Sequence, residues 1–232
     1  MTVAAVILAA TAESALEDAD GQPRVRRIVD AAWSGGAIPI VVVAPDPDGR
    51  VAASLAGAPV TLAEPAPETG GPVAQMARGI DVAGREVQET DAALVWPARF
   101  VWVGPETVTS LIEAAGTSGD GSLIRPTFDG SPGWPVIVPA SRRRALDAIS
   151  AERMPDDVLD ELHTGGAPLE SVDVGDPGVV FDASTARDAL PPYVGPAGPA
   201  SGLTHEWGAA VADEPDDAPL PGPTIARLEE DG

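Results

Sequence analysis

The sequence predicts an α/β fold in which a mostly parallel sheet lies between two layers of helices. Short apolar runs alternate along the chain with longer segments whose apolar residues follow helical spacing. This alternation is typical of sheets whose strands are joined by crossover helices. With 232 residues, the chain can form one domain of this kind together with a tail. We therefore expect a three-layer domain over residues 1–190 and a disordered tail over residues 191–232.

Five apolar runs are predicted to form strands. They are residues 3–9, 39–43, 93–96, 133–138 and 179–181. Their nearly continuous apolar character is typical of strands that are buried on both faces. The first run, VAAVILAA, follows no basic segment and is shorter than the roughly 20 residues of a membrane span. We interpret it as a central strand and expect a cytoplasmic protein that makes no membrane contact.

Five further segments are predicted to form the helices around the sheet. They are PRVRRIVDAAWSGG, PVAQMARGIDVA, PETVTSLIEAAG, RRRALDAI and PDDVLDELHTGG. In the first, Val25, Ile28 and Val29 are spaced to share one face, and Gly35 follows the last turn. Pro105 opens the third, at a position where a helix tolerates proline.

The composition changes after Leu190. Residues 191–232 are rich in proline, glycine and acidic side chains and contain a single arginine, Arg227. Such a segment buries too little apolar surface to offset the loss of chain entropy on folding, so we expect disorder. The final segment TIARLEEDG could still form a helix, either as a frayed terminus or as a docking peptide.

Charge and residue usage exclude several classes of function. The net charge of −22 disfavours a nucleic-acid partner, because phosphate contacts require a basic face. The chain contains no cysteine, which excludes disulfides and thiolate metal sites. All of its basic residues are arginines, so it has no lysine with which to bind a phosphate.

Seven blocks of sequence, in order along residues 3–190, carry a resemblance to a known family. They are VAAVILAA, GQPRVRRIVDAA, GGAIPIVVV, GGPVAQMARGI, GPETVTSLI, FDGSPGWPVIV and VVFDASTARD. Together they resemble the MobA-like nucleotidyltransferases of molybdenum cofactor biosynthesis. The resemblance implies a Rossmann-like nucleotidyltransferase fold. It also implies a Mg²⁺-dependent reaction in which a phosphate of an acceptor, such as the pterin cofactor, attacks the α-phosphate of CTP or GTP.

The resemblance places the family's nucleotide loop after the first strand. If nucleotide binding is retained, it would involve Leu8, Ala9, Ala10, Thr11 and also Gly71. Thr11 stands where the family has glycine, and the arginine, glycine and lysine that follow in the family have no clear match. A Cβ at this position hinders close backbone approach. The four acidic residues between positions 13 and 20 would repel a triphosphate, although we favour their interpretation as a solvated loop.

The resemblance also locates the family's magnesium site. Counting back from GPET, the position of the metal-binding aspartate falls on Arg99. The second acidic motif keeps Asp182 but has Ser184 in place of its middle carboxylate, and the family's histidine before Pro-Val is Trp134. A guanidinium repels Mg²⁺ strongly at short distance. We therefore expect no bound metal and an ion pair between Arg99 and Asp182 in its place.

Arginines and tryptophans near these blocks are further candidates for binding. Arg24, Arg26 and Arg27 could replace the lost phosphate-binding cation, but helical spacing directs them to two faces, so at most one would point at a ligand. Trp96 and Trp102, like the tryptophan of GWPV, are interpreted as filling the core or a pocket, in preference to stacking on an aromatic ligand.

Three functions remain open at this point. We favour a catalytically degenerate domain that keeps the fold, needs no cofactor and serves as a binding or regulatory partner of an unknown protein or of a nucleotide. The second is an active nucleotidyltransferase, or a sugar-nucleotide-type transferase, with a rearranged site that uses Mg²⁺ and CTP or GTP. The third is an α/β protein whose function is unrelated to nucleotides.

Overall fold

A mixed sheet forms the centre of the fold in the computed structural model, which describes residues 1–196. Its eight strands within that range are β1 (Val3–Leu8), β2 (Ile40–Val43), β3 (Thr61–Ala63), β4 (Ala92–Pro97), β5 (Leu123–Phe128), β6 (Ser131–Pro132), β7 (Val136–Pro139) and β8 (Leu169–Asp173). The order is β3-β2-β1-β4-β7-β5-β6, and β8 pairs with β5 in parallel. β1 lies in parallel between β2 and β4, as expected for a central strand.

Helices cover both faces of the sheet. They are α1 (Ala12–Leu16), α2 (Arg24–Ser34), α3 (Arg50–Ser54), α4 (Gly71–Glu86), α5 (Pro105–Thr117) and α6 (Pro155–Thr164), with 3₁₀ helices at Glu68–Gly70, Ala140–Ala148, Pro177–Val179 and Arg187–Ala189. α4 packs on β1 and β2, and α6 packs against α4. α2 also contacts β1 and β2, and it packs against α5. The α/β class and the mostly parallel sheet are therefore confirmed.

Close backbone approach between layers depends on small residues. A Cβ at Gly79 of α4 would collide with the side chain of Val6 in β1, and one at Gly35 would collide with Val108 of α5. β1, β2 and β4 are apolar on both faces, and every residue of β2 is buried. The core therefore lies on both sides of β1, β2 and β4.

The prediction of a strand over residues 179–181 is wrong. Pro177–Val179 form a 3₁₀ helix instead, and the amides of Val180 and Phe181 both donate to the carbonyl of Pro177. Val179 is fully buried, so the apolar run fills the core without joining the sheet. All of the segment RRRALDAI except its last residue, Ile149, lies in the 3₁₀ helix Ala140–Ala148. The predicted strands left out β3, β5, β6 and β8, and the predicted helices left out α1 and α3.

The predicted tail lies outside the described residues except for residues 191–196, and TIARLEEDG lies wholly outside them. The boundary at residue 190 stays a prediction. Among the residues that the structure describes, no helix is long and apolar enough to cross a membrane.

Candidate functional site

The carboxyl ends of β1 and β4 bring the predicted site residues to one edge of the sheet. The amide of Ala98, after β4, donates to the carbonyl of Leu8 at the end of β1 (2.9 Å). The amide of Ala183 donates to the carbonyl of Arg99 (2.7 Å). Arg99 and Asp182 are therefore close neighbours of the loop after β1. This edge is where open parallel sheets generally bind ligands.

The loop after β1 is closed by hydrogen bonds of its own. Thr11 is the N-cap of α1: its Oγ1 accepts from the amide of Ser14 (3.0 Å), and its own amide donates to Ser14 Oγ (3.1 Å). The backbone at Thr11 is extended, with φ −137° and ψ 160°, so a Cβ is tolerated without strain. Two backbone N–H groups that could otherwise approach a phosphate are thus engaged within the loop.

Gly71 lies at the start of α4, with φ +59°. A Cβ at this position would collide with the carbonyl oxygen of Ala151, in the segment that precedes α6. The glycine is therefore required by the packing of two segments of the chain. Its role in nucleotide binding stays a prediction.

The acidic loop before α2 pairs with arginines. Glu17 contacts Arg24 (2.7 Å), and Asp20 lies 3.7 Å from Arg27 and also binds Arg187. Glu17 and Asp20 are exposed, in agreement with the interpretation as a solvated loop, and both also pair with arginines. Sequence reasoning missed Arg187, which is separated from Asp20 by 167 positions.

Arg99 and Asp182 do not form the expected ion pair. Arg99 lies 3.8 Å from Asp156, whereas Asp182 Oδ1 accepts from the amide (2.9 Å) and Oγ (2.6 Å) of Ser184. The hydrogen bond from the Ser184 hydroxyl is the main cause that lowers the pKa of Asp182, with smaller contributions from the Ser184 amide, Arg99 and Arg24. Partial burial opposes this shift. Arg99 therefore lowers the pKa of Asp182 through the electrostatic effect of its charge, and not through an ion pair.

Asp156, at the first turn of α6, joins the groups around Arg99. Its Oδ1 accepts from Arg125 (2.6 Å) and from the indole N–H of Trp134 (3.2 Å). Trp134 is 1% exposed and Arg125 lies in β5, so the carboxylate ties α6 to the sheet. The position of Asp156 after Pro155 predicts a helix start, but no signal in the sequence placed it beside Arg99.

The surroundings of Trp96 and Trp102 agree with the interpretation that these side chains fill the core or a pocket. Trp96 is fully buried and donates its indole N–H to the carbonyl of Phe100 (2.8 Å). Trp102 is half-buried and donates to the carbonyl of Thr185 (2.9 Å). Arg27 lies over its ring, 5.3 Å from the centroid.

Comparison with models of known families shows to which family this chain belongs. The family described as the MobA-like NTP transferase domain matches residues 12–165, which is more than half of the chain. The chain belongs to this family. Among the curated proteins, none matches the sequence.

Solved structures of nucleotidyltransferases are similar to this MobA-like domain. A nucleotidyl transferase from Methanothermobacter thermautotroptrophicus has a TM-score of 0.62 and 19% identity, covering 78% of this chain and 91% of that chain. Rv0371C from Mycobacterium tuberculosis, solved with manganese, has a TM-score of 0.60 and 16% identity, covering 82% and 98%. The 2-C-methyl-D-erythritol 4-phosphate cytidylyltransferase from Thermus thermophilus has a TM-score of 0.59 and 17% identity, covering 82% and 96%. At these identities the likeness establishes the fold.

The side chains at this edge of the MobA-like domain do not fit a Mg²⁺ site. Within residues 1–196, no three or more His, Cys, Asp or Glu side chains are grouped so that they could hold a metal ion. Mg²⁺ prefers oxygen ligands that include carboxylates. Here Asp182 is hydrogen-bonded to Ser184 and lies in the field of Arg99 and Arg24.

Ser184→Ala is expected to raise the pKa of Asp182 towards its ordinary value of 3.8. Because the folded-state pKa is lowered, the Asp182 carboxylate stabilises the fold above its unfolded pKa, and this contribution is lost as the pH falls through the folded value. An NMR titration of the Asp182 carboxyl carbon measures the shift. Ser131→Ala, a change on the exposed strand β6, serves as the control. An unchanged pKa in Ser184→Ala would contradict the assignment.

Proposed function

We propose that this chain is a catalytically degenerate MobA-like domain that keeps the nucleotidyltransferase fold and acts as a binding or regulatory partner. The observation that carries the proposal is the closed loop after β1. Thr11 and Ser14 use their amides on each other's side chains, at the position where the family's loop approaches a nucleotide. Free backbone N–H groups are the main device by which such loops bind phosphates.

The electrostatics of the former metal position support the same proposal. Catalysis in this family requires a cation that offsets the charge of the triphosphate and of the attacking phosphate. Arg99 supplies a positive charge there, but it is paired with Asp156 and offers no coordination sites for a metal. The chain also has no lysine to take the role of the family's loop lysine.

The alternative is an active Mg²⁺-dependent nucleotidyltransferase that moves CMP or GMP onto a phosphorylated acceptor such as the molybdenum pterin cofactor. It is favoured by family membership and by the similar fold of Rv0371C, whose structure was solved with manganese. This alternative would require metal ligands other than the side chains described above.

Calorimetric titration with CTP and with GTP, each with and without Mg²⁺, tests the proposal. We expect Mg²⁺ to produce no increase in the affinity of the wild-type protein for either nucleotide. Arg99→Asp provides the contrasting variant, since it adds a carboxylate near Asp182 and should introduce stabilisation by Mg²⁺ in a thermal melt. Nucleotidyl transfer by the wild-type protein to a phosphorylated acceptor would overturn the proposal.

A further inference from the structure

We propose that Arg27 and Arg187 form a metal-independent site for a phosphate group, and that the carboxylate of Asp20 occupies this site in the structure. The inference rests on the proposed function, because it names the ligand class that the degenerate domain would bind. Its chemistry differs from that of the family, since it uses two guanidinium groups in place of a metal and a backbone loop.

The geometry around Asp20 is that of one anion shared by two cations. Oδ2 of Asp20 lies 3.7 Å from Arg27 and accepts a hydrogen bond from Arg187. Arg27 comes from α2 and Arg187 from the 3₁₀ helix Arg187–Ala189, so two distant segments converge on this oxygen. Without an anion between them, the two guanidinium groups would repel each other.

Trp102 holds one of these cations in place. The Arg27 guanidinium lies over the indole ring, 5.3 Å from its centroid, and the indole N–H is fixed by the carbonyl of Thr185 (2.9 Å). Burial, and after it the neighbouring Arg187, lowers the pKa of Arg27, whereas Asp20 acts in the opposite direction. The Arg27 guanidinium is therefore positioned before any ligand arrives, which reduces the entropy lost on binding.

A second arginine of α2 has an incomplete set of partners. Arg24 is 7% exposed, and it pairs with Glu17 of the same acidic loop. Its Nε is buried and, in the part of the chain that the structure describes, has no hydrogen-bond partner. A buried donor without an acceptor is destabilising. Glu17 and Asp20 thus each place a carboxylate on an arginine of α2, and in the case of Arg24 one buried N–H is left without an acceptor among the described residues.

Asp20 is able to leave the site. Its side chain is 48% exposed and that of Arg187 is 56% exposed, so both are accessible to solvent. The backbone of Asp20 has φ 61°, in the left-handed region, and Gly21 follows with φ 80°. A phosphate group presents more charge and more acceptor oxygens than a carboxylate, and guanidinium groups bind it in a bidentate manner. It can therefore displace Asp20.

Asp20→Asn tests the inference, because it removes the competing charge and tolerates the left-handed backbone. Binding of pyrophosphate, CTP and GTP is measured by calorimetry at low ionic strength in the presence of EDTA. We expect pyrophosphate to bind Asp20→Asn at least tenfold more tightly than wild type. Arg187→Ala in the Asp20→Asn background should abolish this gain. Glu89→Gln, an exposed site with the same change of charge, should behave as wild type.

The arms of the experiment separate the sources of the phosphate. Equal affinities for pyrophosphate and the nucleotides support a site for the phosphate group alone, and a tighter nucleotide supports a nucleotide ligand at the same site. Asp20→Gly, which fits the positive φ, replaces Asp20→Asn if the latter does not fold. Equal affinity in wild type and both Asp20 variants would overturn the inference while leaving the proposed function intact. Nucleotidyl transfer with Mg²⁺ would overturn the proposed function independently.

Discussion

Asp156→Ala is expected to lower the free energy of unfolding by about 2 kcal/mol, because it removes the charged acceptor of a largely buried arginine. The Arg125 side chain is 11% exposed and donates to Asp156 at 2.6 Å. The indole N–H of Trp134 would lose its acceptor in the same variant. Arg99 would lose its 3.8 Å contact, which contributes little because both groups are about half exposed.

Urea denaturation of Asp156→Ala and of two companion variants measures this effect. Asp160→Ala, an exposed change on the same helix, should stay within about 0.5 kcal/mol of wild type. Asp156→Asn retains an oxygen for Arg125 but no charge, so its stability should lie between those of wild type and Asp156→Ala. If Asp156→Ala and Asp160→Ala had the same stability, Asp156 would not connect α6 to the sheet.

The parts of the fold that the sequence predicted are those with a strong apolar pattern. β1 and β4 are continuous apolar runs and lie at the centre of the sheet. β8, with the sequence LESVD, pairs with β5 and is mostly exposed, so its sequence lacks the apolar run that would predict a strand. β5 contains an arginine, which interrupts its apolar run, and a proline, which disfavours a strand assignment. The apolar run at Val179 is buried outside the sheet, which periodicity alone does not distinguish from a strand.

The candidate site was predictable only where the family resemblance gave positions. It placed Arg99 and Asp182 at one edge, and the structure brings their backbones into contact. The resemblance did not predict the ion-pair partners of these side chains, because the partners come from segments that are far apart in sequence. Asp156 reaches Arg99 from the start of α6, and Arg187 reaches Asp20 from the end of the domain.

Asp176→Ala is expected to destabilise the domain by about 3 kcal/mol, because it removes the carboxylate that three donors in the interior share as their acceptor. Asp176 is 4% exposed. Its Oδ2 accepts from the amide of Gly104 (3.0 Å) and the hydroxyl of Thr107 (2.7 Å), and its Oδ1 accepts from the amide of Gly178 (2.8 Å). The carboxylate thus joins the start of α5 to the 3₁₀ helix Pro177–Val179.

The size of this effect follows from the burial of the groups left behind. Thr107 is 1% exposed, and Gly178 packs so closely that a Cβ there would collide with the backbone of Trp102. Water can therefore reach these donors only if the segments separate. Asp173→Ala is the matched control, because Asp173 is exposed and, within residues 1–196, accepts one hydrogen bond, from the amide of Gly175 (3.2 Å). Urea denaturation should show Asp173→Ala within about 1 kcal/mol of wild type, and equal stabilities of the two variants would refute the role of Asp176 as a link between α5 and the segment after β8.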